Sequence, residues 1–214
     1  MQVQLSHQVD VSSFHSEATR LLAQQVPPET VQWCPAPAHA VEEEDLAVGR
    51  AAIRNRAARA IIPQSFIRLS ELVVLHRDPG RFDLLYRALW RLVYEPDLKN
   101  DFADADLSRL RQMAQAVRRD IQKMKARIAF RPLMVRGEPV QVAWYEPTHY
   151  VCETVGAWLA RAEPDSHWVL LTPDRSLHWD GTHLLSAPAV AGVEDGQAMT
   201  DDERAQALEG LPWL

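Results

Sequence analysis

Alternating apolar and polar positions predict strands at the start of the chain. Residues 1–9 alternate between the two classes from Val3 onward, and a period of two is typical of a half-buried strand. A helix capped by Asp10 or Ser12 is expected next, and a second short strand over residues 30–34. The chain therefore opens with a strand-helix-strand unit.

The middle of the chain has the periodicity of helices. Helices are predicted over residues 64–77, with Pro63 at the start, and over residues 81–94, with Asp78-Pro79-Gly80 between them. A third helix is predicted over residues 107–131, where apolar residues recur every three or four positions. This stripe consists of Leu110, Met113, Val117, Ile121, Met124 and Ile128.

The last third returns to strands. A strand pair is predicted over residues 130–135 and 139–145, then a helix over residues 148–162 and a strand over residues 167–172. The pair Asp180-Gly181 predicts a two-residue hairpin turn that joins a strand at residues 177–179 to one at residues 182–185. The whole pattern predicts an α+β fold, in which a helical middle lobe is combined with short mixed or antiparallel strands from the N-terminal and C-terminal parts.

The predicted elements group into four segments of one compact domain. They are the strand-helix-strand unit at 1–34, a linker and helix at 35–60, a core of helices and strands at 61–186 and an acidic tail at 187–214. The linker contains two prolines and the acidic run Glu42 to Asp45, which favour a surface loop.

Composition narrows the classes of function. The 214 residues are 47% apolar and 24% charged, as in ordinary globular proteins, and no apolar run is long enough to span a bilayer. The N-terminus lacks a signal-peptide pattern, so a cytoplasmic protein without membrane contact is expected. Cys34 and Cys152 are too few for a disulfide scaffold or an iron-sulfur cluster, and no glycine-rich phosphate loop is present. No cofactor is expected.

Positive charge is concentrated in the third helix. Residues 109–131 hold eight basic residues and one acid, Asp120, whereas the rest of the chain holds 15 basic and 28 acidic residues. Asp106 or Ser108 is the expected N-cap of this helix. At 100° per residue, the basic residues form two rows beside the apolar stripe. The Arg111 row is Arg111, Arg118 and Lys125; the Arg119 row is Arg119, Lys123 and Arg127.

These rows suit an anionic partner, because spaced cations can follow a phosphate backbone. The alternative is a solvated helix whose long side chains pair with acids elsewhere. Under the first hypothesis the predicted phosphate contacts are Arg111, Arg118, Arg119, Lys123, Lys125, Arg127, Arg131 and Arg175.

A second group of candidate residues lies in residues 167–181, where aromatic and charged residues surround a strand and two turns. Exposed tryptophans can stack on bases, but buried ones are core residues, and both interpretations are open. The candidate base or partner contacts are Trp144, Trp168 and Trp179, and the candidate catalytic residues are Asp120, Glu146, His149, Asp174 and His178. His178, Asp180 and His183 could be imagined as metal ligands, but their convergence across the turn is not assured, and no metal site is predicted.

Four separated motifs carry a family resemblance. Residues 85–92, 113–124, 143–149 and 171–181 resemble, in the same order, a bacterial family of unknown function described as probable DNA-metabolism proteins. Its members resemble a domain fused to uracil-DNA-glycosylase-like uracil-binding proteins, or encoded beside a radical-SAM protein assigned to DNA modification or repair. The resemblance runs from about Gln2 to about Ser186 and implies DNA as the partner, with a glycosylase-like or radical-SAM protein as a second partner.

Three functions follow as hypotheses. The leading one is an accessory domain of DNA repair or modification that binds DNA or presents it to a partner enzyme. The second is an enzyme acting on a nucleotide or damaged base through its Asp, Glu and His residues. The third is a protein-interaction module whose basic helix docks on an acidic surface, such as the run at residues 42–45. The chain has none of the glycosylase active-site motifs, so uracil excision is not expected.

Overall fold

The computed structural model of the chain describes residues 1–36, 44–45, 62–95, 97–98, 101, 103–135, 137–190, 200 and 208. It has the α+β fold that the sequence predicts, with two sheets. The described residues form two compact units, one drawn from residues 1–37 and 52–119 and the other from residues 38–51 and 120–214. The four segments predicted from the sequence stay a prediction. Among the described residues, no helix has the length and hydropathy required to cross a membrane.

The first unit opens with the predicted strand-helix-strand arrangement. Strands β1 (Gln2–Leu5) and β2 (Gln32–Pro35) pair in parallel, and helix α1 (Val11–Ala23) connects them. Of the two predicted caps, Asp10 is correct: its Oδ1 accepts a hydrogen bond from the Ser13 backbone N–H at 2.8 Å. This contact satisfies one of the backbone donors that the first helical turn leaves unpaired.

Three helices complete the first unit: α2 (Gln64–Val73), α3 (Arg81–Tyr94) and the start of α4 (Ala105–Arg127). Helix α3 has the predicted bounds. The predicted N-caps of α4, Asp106 and Ser108, are wrong, because the Leu107 N–H is held at 2.9 Å by Asp104. The core of this unit is aromatic: the rings of Phe14, Trp33 and Phe82 contact one another, and Tyr86 contacts Trp33.

The second unit is built on a mixed six-stranded sheet in the order β3-β8-β7-β6-β5-β4. The strands are β3 (Glu44–Asp45), β4 (Arg131–Val135), β5 (Glu138–Trp144), β6 (Trp168–Leu171), β7 (Arg175–Trp179) and β8 (Leu184–Pro188). Strands β5 and β6 are parallel and are joined by helix α5 (Cys152–Ala162), whereas the other neighbours are antiparallel. The parallel pair places the loop after β5, the first turn of α5 and the turn after β6 at one edge of the sheet.

Two predicted boundaries in the second unit are wrong. The β7–β8 hairpin has a four-residue loop rather than a two-residue turn, since Trp179 pairs with Leu184. Asp180 Oδ1 accepts the backbone N–H groups of Thr182 and His183 at 2.7 and 2.6 Å, which removes them from the ladder. Helix α5 begins at Cys152 rather than at residue 148, because the preceding residues form an anchored loop.

The two faces of this sheet have different covers. Helix α5 packs closely on one face: a Cβ atom at Gly156 would lie 2.2 Å from Leu177 Cδ1, so only glycine fits there. The opposite face carries an apolar cluster that includes Val142, Val169 and Leu171, with Leu208 buried against it. The predicted acidic tail falls mostly outside the described residues, although Leu208 is part of this core.

Candidate functional site

The basic side chains of α4 are mostly exposed. Arg109 forms an ion pair with Asp78 at 3.2 Å. The others do not form an ion pair with any residue that the structure describes. Those with exposed side chains are Arg111, Arg118, Arg119, Lys123, Arg127 and the following Arg131. Long cations that keep their charge in solvent are available to an external anion.

Lys125 differs from the rest of the Arg111 row. Its Nζ lies 4.4 Å from the ring centroid of Trp158 on α5, and the side chain is only partly exposed. This cation–π contact stabilises the packing of α4 on α5. The Arg119 row, in contrast, has no such internal contact among the described residues, and its three side chains are all exposed.

Asp120, the acid within the basic helix, is buried and engaged with the backbone. Its Oδ2 accepts the His149 N–H at 2.8 Å, and the residue is 5% exposed. His149 lies in the loop between β5 and α5, so Asp120 anchors that loop to α4. Hydrogen bonds from backbone N–H groups to a carboxylate are charge-assisted and strong. The contact favours the structural interpretation of Asp120.

The anchored loop begins with Tyr145 at the carboxyl end of β5. The Tyr145 N–H donates to the Leu171 carbonyl at 3.0 Å, which extends the parallel ladder by one bond. Burial raises the pKa of the Tyr145 phenol, the negative charge of Asp120 raises it further, and the positive charge of Arg127 opposes the rise. The phenol therefore lies near both side chains.

A buried polar network follows at the turn between β6 and β7. Arg175 Nε donates to Glu153 Oε1 at 3.2 Å and to Ser186 Oγ at 3.0 Å, and the Ser186 hydroxyl donates to the same glutamate oxygen at 3.1 Å. Thr172 Oγ1 donates to the Arg175 carbonyl at 2.8 Å. The Arg175 side chain is 10% exposed. Arg175 therefore has a structural role at this edge of the sheet, and a contact between Arg175 and phosphate stays a prediction.

Cys152, the first residue of α5, lies against this network. Burial raises the pKa of the thiol to about 12, Thr172 acts in the opposite direction through a hydrogen bond, and the charges of Glu153 and Asp174 add to the rise. At neutral pH the sulfur is a thiol, whereas nucleophilic catalysis needs the thiolate. Cys152 is a core residue.

The five candidate catalytic residues do not converge. Asp120, Glu146, His149 and Asp174 lie at or beside the carboxyl ends of β5 and β6. His178 is near the other end of β7, opposite Val169, and lies four positions along the chain from Asp174, or roughly 13 Å of extended strand. Burial lowers the pKa of His178, with a further decrease from His167 and an opposing effect of Asp180. His178 therefore stands apart from the other four.

The candidate base contacts are largely structural. Trp168 is 1% exposed and contacts Phe130, so its ring is not available to a base in this structure. Trp179 is partly exposed and donates its indole N–H to the Pro164 carbonyl at 3.1 Å. Trp144 packs against the apolar cluster on the face opposite α5. A ligand contact by Trp144 or Trp179 stays a prediction.

Among the described residues no group of three or more His, Cys, Asp and Glu side chains is placed to hold a metal ion. Asp180 instead caps its own loop. Hydrogen bonds from the backbone N–H groups of His183 and Thr182 lower the pKa of Asp180 to about 2, although partial burial has the opposite effect. The acidic residues Glu42 and Glu43 lie outside the described residues.

Sequence reasoning missed the polar network partners of Arg175. Glu153, Thr172 and Ser186 come from a helix, a turn and a strand that are distant in sequence. A single polar residue in an otherwise apolar strand, such as Ser186 in β8, was the one available indication of a buried hydrogen bond.

Comparison with known proteins identifies a family. Residues 79–208 match the model of a domain of unknown function, DUF4130. Searches among curated proteins and among solved structures found no significant match. The match begins just before α3 and extends through the whole six-stranded sheet except β3. Because it spans more than half of the 214 residues, the chain belongs to the DUF4130 family.

Proposed function

We propose that this protein is an accessory domain of DNA repair or DNA modification that binds DNA through the exposed cations of α4. The observation that carries the proposal is a set of basic side chains, on a single helix of an acidic protein, that lack an ion pair with any described residue. Arg118, Arg119, Lys123 and Arg127 are the central members.

The geometry of the helix fits a chain of phosphates. Successive members of the Arg119 row are four residues apart, which is about 6 Å along the helix axis. Long side chains adjust such a spacing to the charges of a nucleic-acid backbone. Arg118, on the other row, widens the positive surface to a second side of the helix.

The negative net charge of −6 restricts the mode of binding. A protein that coats DNA non-specifically is usually basic overall, so contact here is confined to α4 and its surroundings. The family resemblance noted in the sequence supports DNA as the anion. We propose a glycosylase-like or radical-SAM enzyme as the partner that acts on the DNA held by this domain.

Charge reversal tests the proposal. The variant Arg118→Glu/Arg119→Glu/Lys123→Glu is compared with Arg20→Glu/Arg68→Glu/Arg161→Glu, which changes the net charge equally at exposed arginines outside α4. We expect the first variant to lose DNA binding in fluorescence anisotropy and the second to bind like the wild type. Neutralising one contact should reduce the slope of log affinity against log salt by about one.

Equal affinity of the wild type and the α4 variant would refute the proposal. Equal losses in both variants would refute it as well, because the effect would then come from net charge rather than from α4. Circular dichroism of each variant establishes that the fold is intact before the affinities are compared.

A second candidate function is an enzyme acting on a nucleotide or damaged base. It is favoured by the position of Glu146, His149 and Asp174 at the carboxyl ends of two parallel strands, where ligands of α/β sheets bind. Mass spectrometry of oligonucleotides incubated with the protein would detect a product. Loss of that product in Glu146→Gln, with DNA binding retained, supports catalysis; unchanged oligonucleotides throughout count against it.

A further inference from the structure

Tyr145 lies near α4 but has no role in the phosphate binding by α4 that is proposed above. It is the first residue after β5, it is a partly exposed residue, and its hydroxyl makes no hydrogen bond with another residue that the structure describes. Both Asp120 and Arg127 act on the phenol electrostatically. Strand β4 begins at Arg131, shortly after α4 ends, and Arg131 pairs with Val142 of β5, so the end of β5 at Tyr145 lies beside the C-terminal end of α4.

Asp120 fixes this arrangement. Its hydrogen bond to the His149 N–H holds the loop that begins at Tyr145. On the helix, Arg127 is only about 20° from Asp120, and Lys123 is about 60° from it. The loop and these two exposed cations consequently share one side of α4.

We propose that Tyr145, Lys123 and Arg127 form a subsite for an unpaired nucleotide, so that the ligand class of this protein is single-stranded DNA or a nucleotide turned out of a duplex. The base stacks on the Tyr145 ring, and its flanking phosphates contact Lys123 and Arg127. The inference rests on the proposed DNA-binding function and specifies its substrate.

The chemistry favours an unpaired base over an intact duplex. Inside a duplex both faces of a base are covered by its neighbours, so an aromatic side chain reaches a base face only when the base is unstacked. Aromatic rings beside a positively charged groove are the recurring elements of single-strand binding. Glu146, next to Tyr145, is exposed and adds negative charge to the loop. Phosphates are therefore favoured on the side of Tyr145 that faces the cations of α4.

Trp158 is another aromatic residue beside α4, but it is a poorer stacking platform. Lys125 already lies over its ring at 4.4 Å, and a base would have to displace that cation. Tyr145 has no cation–π contact among the described residues, which is why the subsite is assigned to it.

Binding measurements with three ligands test the subsite. They are an oligothymidine strand, a duplex of the same length and an abasic strand of the same length and charge. We expect the wild type to prefer oligothymidine. The variant Tyr145→Leu, which keeps apolar volume but has no aromatic face, should weaken oligothymidine binding by about 5- to 150-fold and leave abasic-strand binding nearly unchanged. Tyr145→Phe should bind like the wild type.

Two controls separate stacking from charge and from folding. Lys123→Gln should weaken binding to all three ligands, because it removes a phosphate contact. Tyr94→Leu removes an exposed tyrosine from α3 and should alter none of the affinities. Urea denaturation of Tyr145→Leu measures any loss of stability, and binding is compared under conditions in which both proteins are folded.

The outcomes distinguish this inference from the proposed function. If oligothymidine, duplex and abasic strand bind equally and Tyr145→Leu changes none of them, the subsite is wrong while DNA binding by α4 stands. If none of the three ligands binds, the proposed function fails and the subsite with it. Full oligothymidine affinity in Tyr145→Leu overturns stacking on this residue even where the wild type prefers single strands.

Discussion

The cations near the two ends of α4 differ in whether they have carboxylate partners. Around its N-terminus three arginines have carboxylate partners: Arg87 of α3 binds Asp106 at 2.7 Å, Arg91 of α3 binds Asp104 at 2.8 Å and Asp106 at 3.2 Å, and Arg109 of α4 binds Asp78 at 3.2 Å. The hydrogen bonds that Arg91 donates to Glu95 and Asp104 accordingly raise the pKa of Arg91. This end is internally neutralised.

The C-terminal end lacks such partners among the residues that the structure describes. Lys123, Arg127 and Arg131 are exposed, and the nearby acid, Asp120, accepts a hydrogen bond from a backbone N–H instead. A count of charges along a helix therefore does not identify an anion site. What decides is whether each cation already has a carboxylate.

The largest expected effect is on DNA affinity, and it is measured by neutralising the cations near each end of α4 in turn. Lys123→Gln/Arg127→Gln/Arg131→Gln removes three phosphate contacts and should reduce affinity for single-stranded DNA by roughly 100-fold or more at 0.1 M salt. Arg87→Gln/Arg91→Gln/Arg109→Gln makes the same change in net charge at the paired end. It should leave the affinity within about threefold. Fluorescence anisotropy measures both.

A loss of affinity in the second variant that matches the first would contradict the distinction between paired and unpaired cations. The urea midpoint provides a separate readout, since only the Arg87/Arg91/Arg109 variant breaks ion pairs of the described residues and should be destabilised.

Removal of the buried acid should have the next largest effect, and on stability. Asp120→Ala leaves the His149 N–H without its acceptor, which should lower the free energy of unfolding by about 1–3 kcal/mol. Asp120→Asn keeps an acceptor oxygen and should cost less. Urea denaturation measures both, and an unaffected Asp120→Ala would show that the loop anchor is energetically unimportant.

Much of the fold could be predicted from the sequence because its elements have regular periods. Helix α3 has the predicted bounds, and the β4–β5 pair lies where alternation and turn residues place it. Strand β1 lies within the alternating residues 1–9 but ends at Leu5. The errors occur where a side chain takes over a backbone hydrogen bond. Asp104 starts α4 early, and Asp180 widens the hairpin loop. Periodicity contains no information on such contacts.

The candidate site was less predictable for a related reason. Exposure of the α4 cations follows from the wheel, but the partner of Asp120 is a backbone group in a loop 29 residues away. The burial of Trp168 and Arg175 likewise depends on how α5 covers the sheet. The residue types indicate which chemistry is possible, whereas tertiary packing decides which groups remain accessible.

A smaller effect is expected for a single ion pair at the paired end. A double-mutant cycle with Arg87→Gln and Asp106→Asn isolates the interaction, which is about half exposed on the arginine side. Surface pairs of this kind contribute about 0.2–1 kcal/mol. A coupling energy near zero in urea denaturation would mean that the N-terminal end of α4 is neutralised without being stabilised.

The smallest effect is the acid dependence of that same pair. The hydrogen bond from Arg87 lowers the pKa of Asp106 below its ordinary value of 3.8, against the opposing effect of burial. A carboxyl group whose pKa is lower in the folded state contributes stability above its unfolded pKa and loses it as the pH falls through the folded value. The difference in unfolding free energy between wild type and Asp106→Asn should therefore be constant near neutral pH and shrink below about pH 4. Arg87→Gln should show a smaller loss with the same pH dependence, because Asp106 keeps its ion pair with Arg91 at 3.2 Å. A difference that persists into strong acid would show that Asp106 acts through something other than its charge.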